Sequence, residues 1–131
     1  MHDIGLYLIK LPRSFYWLSA ATLVAVLFWG GGQPIAAGLF PVPYDKVAHF
    51  LYFGTLGLLF WLGTGGSWPV LLFIAVSAIG GVDELHQATL PGRVADIYDF
   101  LFDTAAAGLV IVTLERNKFA LNGVQRRTNE A

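Results

Sequence analysis

The sequence predicts an all-α integral membrane protein, a bundle of four transmembrane helices joined by short loops. Of the 131 residues, 56% are hydrophobic and only 13% are charged, whereas a soluble domain carries about 25% charged residues. Four apolar runs of about 17–20 residues approach the ~20 residues that cross the ~30 Å hydrocarbon core of a bilayer. The length predicts a single domain.

Each predicted span has signals at its ends. Trp17 and Trp29 flank the first span as the aromatic belts of membrane helices do. The second span opens at Asp45, a residue type that caps helix N-termini. The third has Pro69 in its first turn, where a missing N–H costs nothing. The predicted spans cover residues 14–30, 45–62, 68–88 and 96–114, and a polar, frayed or surface-lying tail is expected over residues 115–131.

The segment from Gly30 to Tyr44 is apolar but rich in glycine and proline, which rules out a continuous helix. It has two interpretations. It is a loop along the membrane surface, or it is a lid over the polar segment described below.

The basic residues predict the orientation. Only Lys46 and Arg93 lie on one side of a four-span topology. The other six lie near the two termini: Lys10, Arg13, Arg116, Lys118, Arg126 and Arg127. The positive-inside rule then predicts cytoplasmic N- and C-termini in a bacterial inner membrane, with the first apolar run kept as a span.

The totals also exclude several function classes. The formal net charge of −1 and the lack of a basic stripe argue against a nucleic-acid partner. The absence of cysteine excludes disulfides, thiolate metal sites and a cysteine nucleophile. Nothing in the pattern indicates an oligomeric state.

Residues 83–99 form a polar segment between two apolar runs. A charge at the centre of a membrane helix costs roughly 2.5–3.5 kcal/mol, so this segment is a candidate functional site. Side chains three or four residues apart share a helix face. The shared faces are Asp45 with His49, Asp83 and Glu84 each with Gln87, and Asp96 with Asp99 and Asp103. We expect these faces to line a cavity open to the outside, with His86 pointing elsewhere.

So many carboxylates at close quarters need compensation. Some are protonated, or Lys46 and Arg93 neutralise them, or a cation is bound. Carboxylates with one histidine suit Mg²⁺, Mn²⁺ or Zn²⁺. If a metal binds, its ligands are expected among Asp45, His49, Glu84, Asp99 and Asp103.

Structural interpretations compete with these functional ones. Asp45 is explained equally well as a helix cap, and Arg93 as a loop residue paired with Asp96 or Asp99. Phe50, Tyr52 and Phe53 are interpreted as ordinary packing or lipid-facing residues.

Two motifs resemble the VanZ-like family of membrane proteins. The first is Asp45-Lys46-Val47-Ala48-His49. The second is Asp83-Glu84-Leu85-His86-Gln87, followed by Pro91-Gly92-Arg93 and then Asp99. The resemblance covers roughly residues 44–110 and implies a bacterial envelope protein with a link to teicoplanin resistance, but no settled reaction. Asp103 and Ala106 stand where the family usually has asparagine and glycine.

With this resemblance, the leading hypothesis is a pocket that acts on or binds a cell-wall or lipid-linked anionic group, so that its partners are membrane lipids or lipid-linked cell-wall material. The residues expected to serve catalysis are His49, Glu84, Asp99 and Asp103. Those expected to bind substrate are Asp45, Lys46, Gln87 and Arg93. Two alternatives remain open: a non-enzymatic binder of a lipid headgroup or glycopeptide, and an ion or small-solute carrier with Asp103 as its protonatable site.

Overall fold

The computed structural model describes the backbone of residues 11–129 and the side chains of residues 11–118. Its four α-helices are α1 (Arg13–Ala25), α2 (Tyr44–Thr64), α3 (Pro69–Gln87) and α4 (Ile97–Asn129), and residues 11–129 contain no strand. The predicted all-α bundle of four helices is confirmed. Three segments are long and apolar enough to cross a membrane: Tyr44–Thr64, Pro69–Gln87 and Ile97–Lys118.

The first predicted span is built differently from the other three. After α1 the chain continues as a π-helical segment over Val26–Gly30, and a short 3-10 helix follows at Pro34–Ala36. The glycines after Trp29 and the proline at position 34 stop the α-helix. The α1 helix has 13 residues and does not reach the length of a spanning helix by itself, so the passage of this part of the chain across the membrane stays a prediction.

The α2 helix differs from the prediction at its start. It begins at Tyr44 with Pro43 at the N-cap position, so Asp45 lies inside the first turn and is not the cap. Its carboxylate instead accepts a hydrogen bond from the backbone N–H of Lys46 at 2.9 Å. At the other end, Gly65 adopts a left-handed conformation with φ 65°, which lets the chain reverse tightly into α3.

The last helix continues into the polar tail predicted for residues 115–131. The α4 helix continues to Asn129, while the expectation that this tail is frayed or lies on the membrane surface stays a prediction. Residues 115–121 contain no glycine or proline, and most are good helix formers. The apolar span therefore ends where the polar residues begin, but the helix continues.

The core lies where α2 packs along α4 and α3. Phe53, Leu56 and Val76 are fully buried, together with Ala106 and Ala107. A Cβ at Gly57 would lie 3.5 Å from the Cα of Ala107, so the small residues allow α2 and α4 to approach closely. Because α3 runs antiparallel to both α2 and α4, the start of α2, the end of α3 and the start of α4 lie at one end of the bundle, which we name the site end.

Candidate functional site

The polar cluster at the site end is built from three helix ends and the loop between α3 and α4. Its members are Asp45, Lys46 and His49 on α2, Asp83, Glu84 and Gln87 on α3, Arg93 and Asp96 in the loop, and Asp99 and Asp103 on α4. The spacing of three or four residues within each helix places these side chains on inward-facing stripes.

Lys46 joins three carboxylates at the outer edge of the cluster. Its Nζ lies 3.1 Å from Asp45 Oδ2, 2.5 Å from Asp96 Oδ2 and 2.5 Å from Asp99 Oδ1. Asp96 precedes α4, and its Oδ1 also accepts a hydrogen bond from the N–H of Tyr98. The Lys46 ammonium and this N–H hold the pKa of Asp96 below its usual range. The Lys46 charge is thus already neutralised by the protein.

His49 lies deeper, between two aspartates of α4. Its Nδ1 is 2.9 Å from Asp103 Oδ1, and its Nε2 is 3.7 Å from Asp99 Oδ2. The ring of Phe53 is parallel to the imidazole, with centroids 6.2 Å apart. Asp103 therefore orients His49 by a direct hydrogen bond, while Nε2 has no hydrogen-bonding partner as close as that.

Two acidic residues of α3 complete the buried part of the cluster. Glu84 Oε2 accepts a hydrogen bond from the backbone N–H of Asp96 at 2.7 Å. Asp83 Oδ2 accepts one from Gln87 Nε2, also at 2.7 Å. Both carboxylates are buried, and neither forms an ion pair within 4 Å to any side chain of residues 11–118.

Two carboxylate oxygens in the cluster have no partner. Glu84 Oε1 and Asp103 Oδ2 are buried and make no hydrogen bond in the described part of the chain. Gly80 lies against the second of these, because a Cβ there would come within 3.0 Å of Asp103 Oδ2. Burial of an unpaired carboxylate oxygen is costly, so a ligand or a proton is the expected companion of these atoms.

A cavity of about 520 Å³ lies beside the cluster. Its polar wall consists of Asp45, His49, Gln87, Arg93 and Asp99. The apolar part of the wall comes from the π-helical segment, from the chain between residues 30 and 40, and from α2. The apolar residues include Val26, Leu27, Ile35, Ala36, Leu39, Phe40, Ala48 and Phe53.

The structure brings all eight predicted site residues to the site end, although their roles remain predictions. Five of them line the cavity directly: Asp45, His49, Gln87, Arg93 and Asp99. Lys46 does not line it, and Glu84 and Asp103 lie behind it. Arg93 makes no ion pair to Asp96 or Asp99. The ring of His86 packs against Phe28 with centroids 5.5 Å apart, outside the cluster as expected.

Some members of the site were not among the sequence candidates. Tyr52 lines the cavity, and its hydroxyl donates to the carbonyl of Leu23; its position three residues after His49 is the signal that predicts this. Asp83 shares a helix face with Gln87 but is not among the residues expected to serve catalysis or to bind substrate, and it is 1% exposed. Residues between 30 and 40 form part of the cavity wall, and the loop and lid interpretations of this segment both stay predictions.

Comparison with known proteins decides the family. A model of the VanZ/LLP1 family matches residues 3–116. The chain belongs to the VanZ/LLP1 family. The resemblance inferred from two motifs therefore extends over α1 and most of the α4 span, and it includes the whole polar cluster. No curated protein and no solved structure matches the chain. Family membership and the apolar helices agree with a VanZ-like membrane protein of the cell envelope.

Proposed function

We propose that this protein binds the anionic headgroup of a membrane lipid or lipid-linked cell-wall molecule in the cavity at the site end. One observation carries the proposal: the wall of a single cavity combines polar side chains, Arg93 among them, with a set of apolar residues. An amphiphile has a charged headgroup and a hydrocarbon body, which would match the polar and apolar parts of this wall.

Arg93 is the contact proposed for the anion. It lines the cavity, is half-buried, and makes no ion pair with the side chains of residues 11–118. Lys46, by contrast, is held by three carboxylates. A guanidinium can grip a phosphate or carboxylate through two parallel N–H donors, so Arg93 is the cation best placed to recognise the ligand.

The apolar wall is proposed to hold the hydrocarbon part. Ile35, Leu39 and Phe40 line the cavity, and they are 80%, 59% and 55% exposed. These side chains face both the cavity and the surroundings of the bundle. A lipid chain would therefore remain in apolar contact along its length while its headgroup lies at Arg93.

The proposal includes the topology predicted by the positive-inside rule. Both termini would lie in the cytoplasm of a bacterial cell and the site end would face outward. At that face the cavity would meet lipids and lipid-linked wall precursors. The link to teicoplanin resistance implied by the family resemblance belongs to this proposal, because altered handling of such molecules changes the target of a glycopeptide.

Native mass spectrometry of the detergent-purified protein tests the binding step. Dioleoyl phosphatidylglycerol and dioleoyl phosphatidylcholine are the probes, and Arg93→Gln is compared with wild type. We expect preference for the anionic lipid, and about tenfold weaker binding of it by Arg93→Gln, since a charge-assisted pair contributes about 1.5 kcal/mol or more. Arg13→Gln, which removes an arginine from the other end of the bundle, is the matched control and should bind normally. Equal binding of both lipids, or unchanged binding by Arg93→Gln, contradicts the proposal.

A catalytic role is the second candidate, and the hydrogen bond between His49 and Asp103 is the observation that favours it. A carboxylate that orients one imidazole nitrogen leaves the other to act as a general base. Here Nε2 would accept a proton from the water that attacks the terminal phosphorus of a pyrophosphate headgroup. It would return the proton to the oxygen that leaves as the bridging P–O bond breaks, with Glu84 assisting.

Turnover separates the two candidates. Purified protein is incubated with a polyprenyl pyrophosphate, and release of inorganic phosphate is measured. A catalyst releases phosphate, and His49→Gln abolishes the release while keeping lipid binding. A binder releases none, and His49→Gln changes little. Teicoplanin susceptibility of cells that express Arg93→Gln or His49→Gln then connects the measured step to the envelope.

A further inference from the structure

We propose that His49, Glu84 and Asp103 bind one divalent transition-metal ion, with Mn²⁺ or Zn²⁺ as the class that fits. The site goes beyond the proposed lipid pocket and does not depend on it. Each of the three residues offers one donor atom, and the three atoms lie within 4.8 Å of one another. The donors come from three different helices, α2, α3 and α4, which pack around this point.

The donor geometry suits a single ion. Two ligands at about 2.1 Å from a metal and at right angles to each other are about 3 Å apart. His49 Nδ1 and Asp103 Oδ1 are 2.9 Å apart. An ion placed here would replace the proton that these two atoms share, and Glu84 would supply the third ligand.

Unpartnered atoms supply the independent observation that points to a cation. Asp103 is fully buried and its Oδ2 has no hydrogen-bond partner; Glu84 is 8% exposed and its Oε1 has none either. Protein cations do not compensate these two groups. Lys46 is engaged by Asp45, Asp96 and Asp99, and the only ion pair that Asp103 makes among residues 11–118 is with His49.

The residues around the three donors hold them in position. The backbone N–H of Asp96 binds Glu84 Oε2 at 2.7 Å, and Phe53 lies parallel to the His49 ring. Gly80 leaves the space that the Asp103 carboxylate occupies. Such surrounding contacts orient metal ligands in known sites. One imidazole with two carboxylates combines a nitrogen donor that favours Zn²⁺ with oxygen donors that favour Mn²⁺.

Among the three donors, only His49 also lines the cavity. The ion would thus lie behind the cavity wall, one residue away from the space proposed for the headgroup. Its charge would add to that of Arg93 in attracting an anion, although metal binding itself is measured without any lipid.

Metal binding is tested on the detergent-purified full chain. Protein stripped with a chelator is incubated with MnCl₂ or ZnCl₂, and bound metal is counted by elemental mass spectrometry after gel filtration. We expect about one ion per chain for wild type, and at least tenfold weaker binding for Glu84→Gln and for Asp103→Asn. Far-UV circular dichroism and gel filtration establish that each variant is folded.

Two matched controls make the same chemical changes outside the site. Glu115→Gln alters a glutamate at the opposite end of the bundle, and Asp96→Asn alters an aspartate of the cluster that is not a proposed ligand. Both should bind the ion as wild type does. No ion retained by wild type, or equal retention by Glu84→Gln and Glu115→Gln, overturns the site.

A spectroscopic measurement on wild type keeps the test independent of variant folding. Electron spin echo envelope modulation of the Mn²⁺ complex should show coupling to a directly bound ¹⁴N, the signature of the His49 imidazole. A bound Mn²⁺ without nitrogen coupling overturns the assignment. Loss of the ion with unchanged phosphatidylglycerol binding would leave the lipid proposal intact, whereas retention of the ion with no lipid binding would remove only that proposal.

Discussion

The charged residues at the two ends of the bundle differ in how well their polar atoms are hydrogen-bonded. At the end opposite the site, the turn between α2 and α3 meets α4. There Trp61 Nε1 donates to Glu115 Oε1, and Lys118 Nζ donates to the carbonyl of Gly66, both at 2.6 Å. At the site end, Glu84 and Asp103 keep buried oxygens without partners. Charges that only anchor a helix end are satisfied near the surface, whereas the site end retains unpaired acid inside the bundle. This difference supports the proposal that places function at the site end.

Removal of one lysine at each end should give the largest difference in stability between the two ends. Lys46→Met leaves three carboxylates without their common cation, so we expect a loss of about 3 kcal/mol in the free energy of unfolding. Lys118→Met removes a more exposed charge and should cost no more than about 1 kcal/mol. Unfolding by sodium dodecyl sulfate in mixed micelles, followed by circular dichroism, measures both. Equal losses would remove the distinction between the two ends.

A glycine-to-alanine substitution at each end compares how tightly the two ends are packed. A Cβ at Gly80 would lie 3.0 Å from Asp103 Oδ2, and a Cβ at Gly63 would lie 3.0 Å from Trp17 Cε2. Asp103 is fully buried whereas Trp17 is 43% exposed, so only the indole can move aside easily. We expect Gly80→Ala to cost about 2 kcal/mol and Gly63→Ala less than about 1 kcal/mol in the same unfolding assay. The reverse order would show that the carboxylate is not held rigidly.

Single hydrogen bonds at the two ends should have similar effects on stability but not on binding. Tyr52→Phe removes the bond to Leu23, and Trp61→Phe removes the bond to Glu115. Each should cost about 1 kcal/mol of unfolding free energy. Only Tyr52 lines the cavity, so only Tyr52→Phe should change phosphatidylglycerol binding by native mass spectrometry. A binding change in Trp61→Phe would mean that the two ends are coupled.

The smallest expected effect is a pH dependence of the unfolding free energy that comes from Asp96, at the edge of the cluster. The pKa of Asp96 is lowered in the folded protein by Lys46 and by the N–H of Tyr98. Its stabilisation is therefore fully present above its unfolded pKa of about 3.9 and is lost as pH falls through the lower folded value. The difference in unfolding free energy between wild type and Asp96→Asn should shrink as pH falls from 5 to 3. A constant difference over this range contradicts the assignment.

Much of the helical framework could be predicted because hydropathy reports burial in lipid or protein directly. Helical spacing places Asp45 with His49 on one face of α2 and Asp99 with Asp103 on one face of α4, and Asp83 with Gln87 follows from the same rule. The end of α4 at Asn129 was missed because loss of hydropathy does not end a helix. The cavity wall around residues 30–40 could not be predicted because irregular segments have no period. The contacts of His49 with Asp103 and of Lys46 with three carboxylates could not be predicted either, because they depend on how separate helices pack.

The position of Asp103 also bears on how the protein is made. An α4 helix that enters the bilayer before its neighbours would present Asp99 and Asp103 to hydrocarbon, at roughly 2.5–3.5 kcal/mol for an acid near the centre. His49 and Lys46, which relieve this cost, reside on α2. The last hydrophobic segment is therefore expected to need the earlier α2 helix beside it during insertion, so that biogenesis of the end of the chain depends on the correct placement of its middle.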